Sequence, residues 1–156
     1  MQGGFSWFLI ALLAAALLVA AIGDWRTRTI SNGLNGAIAL GAIPFWWVSG
    51  LQLWPDIALQ IGVALGVLFV FFLAFQMGQM GGGDVKMLFA LSLWLPPAAV
   101  LQLIVIMAIA GGVLTIALLI PHRMLKHAGN PEIPYGIAIA FAGLWLIGER
   151  FLNHFG

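Results

Sequence analysis

Long uninterrupted apolar runs are the feature that most constrains the fold of this chain. Six of them follow one another along its 156 residues, at 5–22, 34–48, 57–75, 85–95, 98–120 and 135–147. Only 7% of the residues are charged, whereas an average soluble domain carries about 25%. The chain therefore lacks the polar side chains that a water-exposed surface requires. Because the runs are continuous and do not alternate, they predict membrane helices and disfavour a membrane β-barrel.

The sequence thus predicts an all-α, polytopic membrane protein with six transmembrane helices in a single membrane-embedded domain, residues 1–156. Basic residues predict its orientation. Five of the six Lys/Arg residues fall in alternate connections between the runs: Arg26, Arg28, Lys86, Arg123 and Lys126. The positive-inside rule assigns those connections to the cytoplasm. Both termini are therefore predicted to lie outside.

The composition also excludes several kinds of site. A formal net charge of +1 gives no electrostatic footprint for nucleic acid, so no nucleic-acid partner is expected. The apolar runs make the lipid bilayer the expected environment. The absence of cysteine excludes disulfides, a thiol nucleophile and a thiolate metal site. His122 and His127 lack two further plausible ligands. We therefore expect no metal and no cofactor.

Two aspartates stand out among the few ionisable residues. Asp24 follows the first apolar run, and Asp84 follows three glycines immediately before the fourth run. The predicted topology places both at the cytoplasmic side, where a carboxylate is costly unless it faces a wet cavity or a partner. The simplest structural explanations are that Asp84 caps a helix start and that Asp24 pairs with Arg26 or Arg28.

Convergence of the two aspartates would instead predict chemistry. Two carboxylates a few ångströms apart cannot both ionise and so share a proton. One can then act as base on a water while the other polarises a peptide carbonyl. The glycines should weaken a regular helix and let another backbone approach closely. Proton relay in a small proton-coupled transporter or channel subunit is the alternative, and a non-enzymatic assembly factor is a further one.

Three ordered motifs resemble those of the type IV prepilin peptidases, the G-x-G-D aspartic proteases of the bacterial cytoplasmic membrane. They are Asp24-x-Arg26-x-Arg28-x-Ile30-x-Asn32, Gly81-Gly82-Gly83-Asp84-Val85-Lys86 and Ile133-Pro134-Tyr135-Gly136. The similarity covers essentially the whole chain. Its small size resembles the short form of the family that serves tight-adherence (Flp-type) pili.

The resemblance implies cleavage of a prepilin after the glycine that ends its short basic leader, at the cytoplasmic face. It implies that Asp24 and Asp84 are catalytic. It assigns supporting roles to Gly81, Gly83, Lys86, Arg26, Arg28, Asn32, Pro134, Tyr135 and Gly136. Longer relatives carry a zinc-associated, cysteine-rich domain and also N-methylate their product. This chain has no cysteine, so neither zinc nor methyl transfer is expected. Ser31 stands where the family usually has proline, which should loosen a turn.

Overall fold

Six helices follow one another in the computed structural model, which describes the backbone of residues 2–124 and 133–155 and the side chains of 4–118 and 133–150. They are α1 (Gln2–Thr27), α2 (Asn32–Val48), α3 (Ala58–Gln76), α4 (Gly82–Ser92), α5 (Pro97–Met124) and α6 (Tyr135–Phe155). A short turn, Leu53–Ile57, in which Trp54 has extended backbone (φ −132°, ψ 129°), leads directly into α3. No strand occurs within the described ranges. The all-α prediction is confirmed.

Among the described residues, three stretches are long and apolar enough to cross a bilayer by length and composition: Gly4–Thr27, Leu53–Gln76 and Pro97–Leu118. Helix α4 has 11 residues, or about 16 Å at 1.5 Å per residue, against a hydrocarbon core of about 30 Å. Six spans, both termini outside and a single domain therefore remain predictions. Of the residues used for orientation and metal exclusion, Lys126, His127 and the side chains of His122 and Arg123 lie outside the described residues.

Helix α4 forms the centre of the bundle because its side chains are buried almost all round. It packs against α2, α3 and α6, while α1 packs against α2 and α6, and α5 packs mainly against α6. Met87, Leu88 and Leu91 of α4 are fully buried. Asp84 thus lies on the central helix α4. Asp24 lies on α1, which packs against α2 and α6, two of the helices that contact α4.

Two buried indole groups fix α2 against the end of α4. Trp46 Nε1 donates to the Leu93 carbonyl and Trp94 Nε1 donates to the Ile38 carbonyl, each at 2.8 Å. A buried indole N–H needs such an acceptor. Gly41 allows the Trp94 ring to approach, since a Cβ there would lie 2.8 Å from a ring carbon. These contacts set the position of α4 along α2, and with it the position of Asp84.

Candidate active site

Asp24 lies in the last turn of α1 and is only 4% exposed. Its backbone carbonyl accepts a hydrogen bond from the Arg28 N–H at 3.0 Å. Arg28 has a left-handed backbone, φ 54°, the conformation that commonly terminates a helix. The Arg28 guanidinium lies over the Trp25 ring, 5.9 Å from its centroid, and acts on the Asp24 carboxylate only weakly. In the described part of the chain, the predicted pairing is therefore a charge interaction between Arg28 and Asp24 and not a direct ion pair.

Asp84 is the third residue of α4 and is 8% exposed. The helix begins at Gly82 and its N-cap is Gly81. The interpretation of Asp84 as the N-cap is therefore wrong, and Gly82 and Gly83 form the first two residues of the helix. The Asp84 carboxylate turns back and interacts with the Gly81 N–H, as a carboxylate at this position does in a capping box. A Cβ on Gly81 would lie 2.9 Å from Asp84 Oδ2, so a side chain at this position would force the Asp84 carboxylate to shift.

The first turn of α6 joins the two aspartates. The Gly136 N–H interacts with both carboxylates, and the Ile137 N–H interacts with that of Asp24. The Gly136 N–H is available because the first N–H groups of a helix have no partner within it, whereas the Ile137 N–H also donates to the Pro134 carbonyl at 3.2 Å. A Cβ on Gly136 would lie 2.8 Å from Asp24 Oδ2. That oxygen is buried and lacks a hydrogen bond of good geometry among the described residues.

The two carboxylates are close enough to influence each other's charge. Burial, followed by the charge of Asp24, raises the pKa of Asp84 to about 7, and the N–H groups of Gly81 and Gly136 oppose the rise. A carboxyl with this pKa is partly protonated near neutral pH. The pair can therefore hold one shared proton and offer an acid and a base together.

Two polar contacts hold the start of α4 against the start of α2. Lys86 Nζ donates to Asn32 Oδ1 at 2.8 Å, and Asn35 Nδ2 donates to the Gly83 carbonyl at 3.0 Å. Gly83 also packs against the backbone of Ile30, since a Cβ on it would lie 3.3 Å from the Ile30 carbonyl oxygen. The close backbone approach predicted for the glycines is thus present, and the neighbouring backbone belongs to the chain itself.

Residues 11–116 match the family model of the type IV leader peptidase family. The chain belongs to this family. The matched range includes both aspartates. No curated protein matches the chain, and no solved structure matches it.

The structure of this leader peptidase brings some of the predicted site residues together and leaves others apart. Asp24, Asp84, Gly81 and Gly136 meet at the carboxylates, and the Asn32–Lys86 contact braces them. Pro134 is fully buried before α6. The remaining predicted residues point elsewhere: Arg26 is exposed, Arg28 lies over Trp25 and the Tyr135 ring packs against Gly111 of α5.

Two residues beside the carboxylates were not predicted as site residues from the sequence. Ile30 is buried where Gly83 and Gly136 both pack against it. Asn35 is buried and bonds to Gly83. The three-residue spacing from Asn32 to Asn35 places both on one face of α2, and this was the signal available for Asn35.

Ser31 departs from the family pattern and yet keeps the turn defined. Its φ is −67°, the value that proline would impose. Its hydroxyl accepts a hydrogen bond from the Leu34 N–H at 3.2 Å and so caps α2. We conclude that the serine replaces a rigid ring with a capping bond instead of loosening the turn.

Proposed function

We propose that this chain is an aspartic endopeptidase, acting as a single membrane-embedded domain, in which Asp24 and Asp84 cleave the leader from a type IV prepilin of the IVb or Flp-like class. Cleavage follows a glycine at the cytoplasmic face of the bacterial inner membrane. The interaction of both carboxylates with the Gly136 N–H carries the proposal, because it joins two acids that are 60 residues apart in the chain. Membership of a leader peptidase family supports the same reaction.

The pair hydrolyses the bond through its shared proton. The ionised carboxylate removes a proton from a water molecule as the oxygen of that water attacks the scissile carbonyl carbon. The protonated carboxyl gives its proton to the carbonyl oxygen, which forms a neutral tetrahedral diol. Proton transfer from the first carboxyl to the amide nitrogen then breaks the C–N bond. The second carboxylate recovers a proton from the diol as the leader leaves with a free acid, and the pair returns to its starting state.

The substrate follows from the position of the acids relative to the apolar spans. Asp24 lies three residues before the end of the span Gly4–Thr27, so we infer that the carboxylates lie at the edge of the bilayer. A prepilin joins a basic leader to an apolar helix, and that junction would lie at the same depth. Arg26 and Arg28 next to this edge favour the cytoplasmic side.

The test is leader removal by the purified protein in detergent micelles, with a prepilin whose basic leader ends in glycine. We expect Asp24→Asn and Asp84→Asn each to abolish cleavage, because each removes one of the two groups that exchange protons. Asp56→Asn is the matched control. Asp56 accepts a hydrogen bond from the Gln52 N–H before α3 and has no place in the proposed chemistry.

Gel mobility gives the rate, and the intact mass of the product gives the cleaved bond and reports whether the new terminus is methylated. Wild-type processing by either of the first two variants would reject the paired-acid mechanism. Absence of cleavage by the wild type, together with proton uptake in reconstituted vesicles, would support the proton-coupled transporter instead.

A further inference from the structure

Asn35 is a buried amide beside the proposed catalytic pair with no role in the mechanism above. It is the fourth residue of α2 and is 4% exposed. Its Nδ2 donates to the carbonyl of Gly83, 48 residues further along the chain, at 3.0 Å. Gly83 immediately precedes Asp84. The amide therefore contacts the peptide unit from which the Asp84 side chain departs.

A hydrogen bond at this carbonyl constrains Asp84 through the geometry of the backbone. The carbonyl of Gly83 and the Cα of Asp84 belong to one planar peptide unit. Fixing the carbonyl oxygen therefore restricts the position of the Asp84 Cα. The Asp84 carboxylate can then move only by rotation about its side-chain torsions. The N–H groups of Gly81 and Gly136 then act on the carboxylate itself. Asn35 thus donates a side-chain hydrogen bond to the peptide unit that joins Gly83 to Asp84.

The side-chain oxygen of Asn35 indicates that the contact with Gly83 does not serve stability. Asn35 Oδ1 is buried and has no hydrogen-bond partner in the described part of the chain. A buried acceptor without a partner costs about 1–3 kcal/mol, and an apolar side chain of the same size avoids that cost. The Gly83 carbonyl lies within α4, where the helical pattern already provides a backbone donor. Stability alone would therefore favour leucine at this position.

We infer that Asn35 is a positioning residue that holds the Asp84 backbone so that the two carboxylates engage the same peptide bond. The inference rests on the proposed function. A folded protein without this amide would keep both acids and still bind substrate, but would hold Asp84 less precisely.

The experiment compares Asn35→Leu with Gln60→Leu in micelles, using the same prepilin. Gln60 is the matched control because it is also a buried amide, 6% exposed, with an unpartnered side-chain oxygen. Gln60 lies near the start of α3. It is about 24 Å along that helix, at 1.5 Å per residue, from the last residue, Gln76, after which the chain continues to the glycines before Asp84. We expect Asn35→Leu to lower kcat by about a hundredfold. KM should change less than about twofold and the melting temperature should not fall. Gln60→Leu should retain wild-type kcat.

The pH–rate profile separates positioning from a general loss of structure. Carboxylates held further apart repel each other less, so the acidic and basic limbs of the Asn35→Leu profile should move closer together. A kcat within about threefold of the wild type would overturn the inference. So would a loss of kcat that accompanies a lower melting temperature and an unchanged profile, or an equal loss in Gln60→Leu.

Asn35→Ser serves as a smaller replacement if the leucine variant does not fold. Failure of both to fold would assign the amide to the fold and overturn the inference. The proposed function is tested separately by Asp84→Asn. A wild type that cuts nothing, or an Asp84→Asn variant that still cuts, refutes the function itself. An inactive Asp84→Asn with a fully active Asn35→Leu refutes only the positioning role.

Discussion

Gly136→Ala tests the idea that the start of α6 sets the distance between the two acids. The added methyl group would lie 2.8 Å from Asp24 Oδ2 and 2.7 Å from Ile30 Cδ1, whereas ordinary contacts begin at 3.4 Å. The difference between 3.4 and 2.8 Å means that this separation must grow by about 0.6 Å, and we expect the carboxylate, as the free end of its side chain, to shift. The contact with Ile30 Cδ1 limits how far the methyl group itself can move aside.

A displacement of this size is large for a reaction that needs two aligned acids. A misplacement of about 1 Å can cost about a hundredfold in rate, so we expect kcat to fall by about 10- to 100-fold. The assay is the initial rate of leader removal as a function of prepilin concentration. Gly148→Ala is the control on the same helix, because a Cβ there meets nothing within 4 Å. Unchanged kcat in Gly136→Ala, with the protein folded, would refute the argument.

Two further predictions concern pH and stability. The pKa of Asp84 is raised to about 7, so this carboxyl loses its proton above that pH and the pair loses its acid. We therefore expect kcat to fall as the pH rises beyond about 7. A pH–rate profile that stays flat to pH 9 would contradict this. Trp46→Phe removes the buried indole bond to Leu93 and should destabilise the protein by about 1 kcal/mol, seen as a lower melting temperature in detergent. Trp47→Phe is its control, because Trp47 is 86% exposed, and equal effects of the two variants would argue against the Trp46 bond.

The apolar runs predicted all six helices because a long charge-free run has few alternatives to a helix in a membrane. The start of α4 was harder to predict. Aspartate is favoured throughout the first turn of a helix, so the sequence pattern does not distinguish an N-cap from the third helical residue. The turn Leu53–Ile57 was also missed, since it begins before the apolar run that predicted α3.

The sequence predicted the two acids of the site but not the contacts that hold them. The motifs singled out Asp24 and Asp84 by residue type and order. The role of Gly136 depends on a contact with Asp24 across 112 residues of sequence, and no local pattern encodes such a contact. The same holds for Asn35 and Gly83, whose bond depends on how α2 and α4 pack.

The attachment of α4 to α2 limits how the acids can separate. Asn35 and Lys86 join the two helices at one end of α4, and Trp46 and Trp94 join them at the other. Sliding α4 along its axis would break four hydrogen bonds at once, two of them from buried indoles. We therefore expect α2 and α4 to move together as one unit. On the proposed function, a peptide would then reach the acids by displacement of α1 or α6 relative to that unit.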